Sequence, residues 1–170
     1  SHKSRLYFAE ADTQSFWYGG TNSVSGTLTE FPLGALGRFG GNLEAIGTIT
    51  EDGGVGGRDL ICFFMGSGEV IIYTGSDPGD ATNFSLVGIF NIGSPVGKRC
   101  VTKVGADLAV ICEDGYVPLT TVLPFGRVND SGALSDKISK TVSDALTSFN
   151  GNNGWESTVY PRGDMILFNV

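Results

Sequence analysis

The stretch from residue 58 to 75 constrains the fold of this chain more than any other part of its sequence. Two runs of apolar, β-branched and aromatic residues, at 60–65 and 70–73, flank the bend Gly66-Ser67-Gly68-Glu69. Glycine adopts positive φ without a Cβ clash, so the stretch predicts a β-hairpin with a short loop. Both arms are apolar at nearly every position, which is typical of strands that protein covers on both faces. One hairpin cannot cover both of its own faces, so similar units are expected to pack against it.

Such units recur along the chain. Apolar strand segments begin near Leu6, Leu60, Leu108 and Met165, at intervals of roughly fifty residues, which is a repeat length seen in propellers. The connecting segments match as well, because residues 31–38 (FPLGALGR) align with residues 90–98 (FNIGSPVGK). Each unit holds four predicted strands, which is the content of a β-propeller blade.

The predicted fold class is therefore all-β with one helical insertion, built from repeated four-stranded antiparallel sheets as part of a β-propeller. The twenty-six glycines support a chain with many tight turns. A repetitive β-sandwich or a solenoid stays open as an alternative. The predicted units are a partial blade at 3–31, a blade at 42–91, a blade at 99–125 with a helical insertion at 131–150, and a partial blade at 155–170.

One stretch departs from the β pattern. Between residues 133 and 149 the apolar residues recur at helical spacing, and Asn150-Gly151 is a typical helix end. The opposite side of this helix, which carries Ser139, Lys140, Ser143, Asp144 and Thr147, is expected to face solvent. The helix either packs on its own blade or binds a partner. The predicted partner-binding residues are Leu134, Ile138, Val142, Leu146 and Phe149.

The residue types argue against an enzyme. The single histidine, His2, leaves no Ser-His-Asp or Cys-His pair for catalysis. The three cysteines lack the spacing of zinc ligands and are expected to be buried free thiols: Cys62, Cys100 and Cys112. Residues 93–99 resemble a phosphate-binding loop, but the loop is one residue short and has Arg99 where Ser or Thr binds magnesium. We therefore predict no catalytic residues, no cofactor and no resident metal.

Charge and hydropathy exclude two kinds of partner. The net charge of −7 comes from 11 basic and 18 acidic residues, whereas a grip on nucleic acid needs clustered Lys and Arg. No apolar run approaches the roughly 18 residues of a membrane span. The sequence therefore predicts no sequence-specific nucleic-acid binding and no membrane partner.

Several acidic residues fall at predicted bends, where a carboxylate usually bonds its own backbone. The bends are at 51–52, 77–80 and 113–114. A calcium ion at Asp77 and Asp80 stays an alternative, although a calcium cage needs six or more oxygens. The tripeptide at 162–164, Arg-Gly-Asp, is predicted to be a hairpin turn because Pro161 precedes it.

Four segments resemble structural proteins of tailed bacteriophages, of the propeller type that forms the tail nozzle or the DNA-stabilising connector. They are residues 3–8 (KSRLYF), 15–18 (SFWY), 107–119 (DLAVICEDGYVPL) and 136–139 (DKIS). The resemblance implies a non-enzymatic virion component, assembled in the host bacterial cytoplasm and forming part of a longer protein. It also implies contact with other virion proteins and with copies of itself, and only passive contact with packaged DNA.

A second function class stays open. The chain could be a carbohydrate- or protein-binding propeller module of a phage fibre or bacterial surface, with exposed aromatic rings as a stacking platform. A glycoside hydrolase propeller would need two carboxylates about 5–10 Å apart in a cleft. The proposed platform residues are Trp17, Tyr18, Tyr116, Trp155 and Tyr160. If these rings are buried between blades, the assembly role is favoured instead.

Overall fold

A computed structural model of the chain describes residues 1–52, 57–124, 133–149, 151, 154–163 and 165–169. These residues form short antiparallel sheets and one α-helix, so the prediction of a mainly β chain with one helix is confirmed. Within each sheet the strands follow chain order, as in a meander. The strands are β1 (Tyr7–Ala9), β2 (Ser15–Tyr18), β3 (Thr29–Pro32), β4 (Leu43–Asp52), β5 (Gly57–Met65), β6 (Glu69–Gly75), β7 (Phe84–Asn91), β8 (Val101–Val104), β9 (Asp107–Cys112), β10 (Gly115–Pro118), β11 (Glu156–Tyr160) and β12 (Met165–Asn169), and the helix is α1 (Ser139–Phe149).

Four layers follow one another in chain order. The first layer is the sheet β1-β2-β3, and the second is the four-stranded sheet β4-β5-β6-β7. The third layer is β8-β9-β10, and the fourth consists of α1 with the hairpin β11-β12. The second layer spans Leu43 to Asn91 and contains the hairpin on which the sequence interpretation was built.

The hairpin β5-β6 is buried on both faces because alternate residues enter two different cores. On one face Ile61, Phe63 and Ile71 pack with Phe16 and Tyr18 of the first layer. The other face packs against the third layer in a second core. That core includes Leu60, Cys62, Phe64, Val70 and Ile72 of the second layer and Leu108, Val110, Cys112 and Val117 of the third. The period-2 alternation of a strand produces this division.

The third core lies between the third and fourth layers. Ile111 and Tyr116 of the third layer pack against Val142 and Leu146 of α1. Trp155, just before β11, is 2% exposed and joins the same core. The ring of Phe168 in β12 stacks on Tyr116 with centroids 3.5 Å apart. Each neighbouring pair of layers is thus joined by its own apolar core.

The first strands of three successive layers lie side by side. Thr50 of β4 donates its backbone N–H to Ala106 O in the β8–β9 turn at 3.0 Å, and Lys103 Nζ donates to Thr48 O at 3.1 Å. Next to β8, Arg99 and Glu156 form a parallel bridge, which aligns β8 with β11. The second, third and fourth layers therefore have the same orientation along the stack.

The register of the repeat differs from the sequence alignment by one residue. Leu60 and Leu108 were placed in equivalent positions, yet they point toward each other and share one core. A one-residue shift moves a strand side chain to the opposite face, so the correct spacing is one residue longer or shorter. Leu108 reaches over Gly47 of β4, where a Cβ would lie 2.5 Å from Leu108 Cδ1.

Among the described residues, only the second layer has all four strands of the predicted repeat unit. In the third layer the outer edge of β10 is bonded by loop residues instead of a fourth strand. Leu134 N donates to Tyr116 O at 2.7 Å, and Tyr116 N donates to Ser135 Oγ at 3.2 Å. The segment before α1 thereby satisfies the edge that another strand would cover. Among the described residues the sheets do not close into a propeller ring.

Candidate functional site

The helix α1 divides its predicted apolar stripe between core and solvent. Val142 and Leu146 are buried against the third layer. Leu134, Ile138 and Phe149 are 57%, 56% and 47% exposed. The prediction of a helix from residue 133 is wrong at its start, because α1 begins at Ser139. Leu134 and Ile138 lie in the segment before α1, with Ile138 in the 3-10 turn Asp136–Ile138, and Phe149 is the last residue of α1, so these three side chains stay outside the core.

The polar side of the helix lies in solvent, as predicted, with Ser139, Lys140, Ser143, Asp144 and Thr147 all exposed. The contacts of Val142 and Leu146 correspond to a helix packed on its own sheet. The exposed residues Leu134, Ile138 and Phe149 are the part of the predicted partner-binding surface that a neighbour can reach. Partner binding at these residues stays a prediction.

The outer face of the first layer is open. Phe8, Trp17 and Glu30 are register partners across β1, β2 and β3, so their side chains point to the same face, away from the second layer. Phe8 is 44% exposed, and Trp17 is half-buried. Trp17 Nε1 donates to Glu10 Oε2 at 2.8 Å. We call Phe8, Trp17, Glu30 and Glu10 the front face.

The outer face of the fourth layer is open at the other end of the stack. Tyr160 pairs with Met165 and Thr158 with Leu167, so these four side chains share one face of β11-β12. Phe168 lies on the opposite face and packs on Tyr116. Tyr160, Met165 and Leu167 are each about half exposed. We call Thr158, Tyr160, Met165 and Leu167 the rear face.

Glu69 is a buried carboxylate that sequence reasoning assigned only to a bend. It is 1% exposed, and it accepts backbone N–H bonds from Arg38 and Phe39 at 2.9–3.0 Å. Arg38 and Phe39 lie in the connection between the first and second layers. In the next layer Asp114 Oδ2 accepts a bond from Gly93 N in the equivalent connection. Acidic residues at the hairpin bends therefore fix the segments that join successive layers.

At the bend 77–80 the carboxylates bond their own turn, as the sequence indicated, whereas Glu51 and Asp52 lie in strand β4 and not at a bend. Asp77 Oδ1 accepts a bond from Gly79 N at 3.1 Å, and Asp80 Oδ1 accepts from Thr82 Oγ1 at 2.7 Å and Thr82 N at 2.9 Å. The bonds from the Thr82 hydroxyl and backbone lower the pKa of Asp80. Within the described ranges, no three His, Cys, Asp or Glu side chains are grouped so that they could hold a metal ion.

The three cysteines are free and buried, as predicted. Burial raises the pKa of the Cys100 thiol to about 11 and that of Cys112 to about 12, and it also raises the pKa of Cys62. Since the thiolate is the reactive form, these groups are protected from oxidation and alkylation in the folded chain.

Comparison of the chain with family models, with curated proteins and with solved structures finds no match.

The five aromatic residues proposed as a stacking platform are not brought together. Tyr18, Tyr116 and Trp155 are buried in two different interlayer cores. Trp17 belongs to the front face and Tyr160 to the rear face, at opposite ends of the stack. Burial of three of these rings between layers is the arrangement expected for an assembly role.

The part of the chain that the structure describes contains no helix with the length and apolarity needed to cross a membrane. The tripeptide at 162–164 follows the prediction for Arg162 and Gly163, which form the turn Pro161–Gly163 between β11 and β12. Asp164 lies outside the described residues.

Proposed function

We propose that this chain is a non-enzymatic structural component of a phage particle, a tail or connector element that assembles with neighbouring virion proteins in the host cytoplasm. The observation that carries the proposal is the exposure of apolar side chains on both end faces of the stack of layers. Successive layers bury their facing sides in apolar cores, whereas the outermost faces leave Phe8, Tyr160, Met165 and Leu167 about half exposed. Stacked repeat proteins normally end in layers with polar outer faces.

We further propose that the stack is part of a β-propeller. The side-by-side arrangement of β4, β8 and β11 supports a radial order, because the innermost strands of successive propeller blades are neighbours. The rings buried between layers favour this assembly role over the glycan-binding module, whose stacking platform needs exposed aromatics on one surface.

The charge of the chain fits a conduit for DNA. A net charge of −7 repels phosphates, so DNA in contact with such a wall would slide past it without being held. Contact with packaged DNA would accordingly be passive. The exposed residues Leu134, Ile138 and Phe149 on and beside α1 are proposed to contact a neighbouring virion protein.

The Ile138→Asp variant tests this role. Because Ile138 is exposed, the charge should leave the fold intact but should reduce incorporation of the protein into particles by about tenfold, as expected for a charge buried in an apolar interface. Incorporation would be measured by quantitative mass spectrometry of particles purified from a producing bacterial culture, and folding by circular dichroism.

Ser143→Asp is the matched control, since Ser143 lies on the solvent side of α1, and its incorporation should equal that of the wild type. Val142 is unsuitable for this purpose because it is buried in the third core. Absence of the wild-type protein from purified particles would contradict the proposed function. Normal incorporation of folded Ile138→Asp would remove Ile138 from the proposed contact surface.

A further inference from the structure

We infer that a second copy of this chain stacks head to tail on the first, with the rear face of one copy packed on the front face of the next. This inference rests on the proposed function and deepens it, because it names one partner and the two surfaces that meet. Contact between two different surfaces is heterologous, so it builds rings or filaments.

Continuity of the stack is the first reason. The chain makes the same kind of contact between its first and second, second and third, and third and fourth layers. Hydrogen bonds join β4 to β8 and its turn, and a parallel bridge joins the start of β8 to β11, so the last two of these steps have one sense. A further step of the same sense would place the first layer of another copy on the rear face. The outer side of that first layer, which is the front face, would then make the contact.

The chemistry of the two faces is the second reason. Each carries apolar side chains that are about half exposed, Phe8 on the front face and Tyr160, Met165 and Leu167 on the rear face. Burial of such side chains contributes about 25 cal/mol per Å² of apolar surface removed from water. Aromatic and methionine side chains are also the types enriched in the cores of protein interfaces.

Charge selects head-to-tail contact over contact between like faces. Glu10 and Glu30 border the apolar residues of the front face, and exposed Arg162 lies in the turn between Tyr160 and Met165 of the rear face. Two front faces would bring four carboxylates together, which is unfavourable. The rear face instead has Arg162 at its edge, and its own carboxylate, Glu156, is already paired with Arg99. Because each chain has a net charge of −7, this local complementarity must act against a general repulsion.

Site-directed cross-linking distinguishes these arrangements. Phe8→Cys and Leu167→Cys are prepared separately, mixed at equal concentration and treated with a short bis-maleimide. The native cysteines stay silent because they are fully buried. Mixed copies should form a cross-linked dimer at a rate at least about tenfold above either variant alone, since docking raises the effective concentration of the paired thiols.

Leu86→Cys is the matched control. Leu86 is an exposed leucine on β7, in the second layer, and it belongs to neither end face. Mixing Leu86→Cys with Leu167→Cys should give only the background rate. Equal cross-linking in this control, cross-linking of Phe8→Cys with itself, or no cross-linking with a monomer mass at high concentration would each overturn the inference.

The particle measurement keeps this inference separate from the proposed function. If the protein is present in particles but the Phe8 and Leu167 variants do not cross-link, head-to-tail stacking is wrong and the structural role stands. If the variants cross-link but the protein is absent from particles, stacking stands and the phage role is wrong.

Discussion

Replacing Phe63 by alanine is expected to lower the free energy of unfolding by about 3–5 kcal/mol, the range for removal of a buried phenylalanine ring. Phe63 is fully buried in the core between the first two layers. Its ring stacks on Phe16 with centroids 4.5 Å apart and meets Tyr73 edge-on at 6.2 Å. The truncation leaves a cavity bordered by rigid rings. Urea denaturation followed by tryptophan fluorescence measures the loss.

Leu86→Ala provides the comparison for Phe63→Ala in the same sheet. Leu86 is partly exposed on the edge strand β7, so its truncation should change stability by less than about 1 kcal/mol. A Phe63→Ala variant as stable as Leu86→Ala would contradict the packing of the first layer on the second. Intermediate losses would indicate that the surrounding side chains partly refill the cavity.

The Glu69→Ala variant is expected to lose about 2–3 kcal/mol of stability, because it removes a buried carboxylate that accepts two backbone N–H bonds, and hydrogen bonds to charged groups are the stronger ones. The carboxylate bonds Arg38 N and Phe39 N, so its removal releases the connection between the first and second layers. Glu69→Gln keeps one acceptor oxygen and should lose less. Thermal unfolding gives the order of stabilities, and amide hydrogen exchange at residues 38 and 39 reports the released segment.

Glu113→Ala is the control for this loss, since Glu113 is exposed at the bend of the next hairpin. Its stability should stay within about 0.5 kcal/mol of the wild type. Unchanged hydrogen exchange at residues 38 and 39 in Glu69→Ala would show that the carboxylate does not fix the connection. A loss as large in Glu113→Ala would point to the negative charge at the bend instead of the hydrogen bonds to Arg38 and Phe39.

Hydrophobic patterning predicted the second layer well. The runs at 60–65 and 70–73 are apolar at both odd and even positions, and the structure divides these positions between two cores. The pattern could not fix the register of the repeat. Spacings that differ by one residue fit the apolar runs equally well when both faces are apolar, yet they reverse which face a side chain occupies.

The residues at the ends of the stack and near the helix show what hydrophobic patterning could not predict, which is the face that a neighbouring layer covers. Phe8 and Met165 were interpreted as members of covered strands, because nothing in an apolar alternation tells which face a neighbouring layer will cover. The same limit applies to Ile138 and Val142, which have equivalent positions in the helical stripe. The structure buries Val142 on α1 against the third layer, whereas Ile138 lies in a 3-10 turn before α1 begins and stays exposed.

The buried carboxylate of Glu69 could not be recognised from its position. An acidic residue after Gly-Ser-Gly is typical of an exposed bend. Its bonding partners lie about thirty residues earlier, in the segment that matches 90–98. A matching acidic residue in the next hairpin, Asp114, was the available signal, and its bond to Gly93 shows the same use of the bend.

Through-space NMR contacts between side chains of successive layers test the stack most directly. With selectively labelled rings and methyl groups, contacts should appear between Phe16 and Phe63, between Leu108 and Gly47, and between Tyr116 and Phe168. Each pair spans a different interlayer boundary, so all three are expected in one folded monomer. Intact β-sheet signals without the Phe16–Phe63 and Tyr116–Phe168 contacts would contradict the stacked arrangement, and with it both proposed assembly roles.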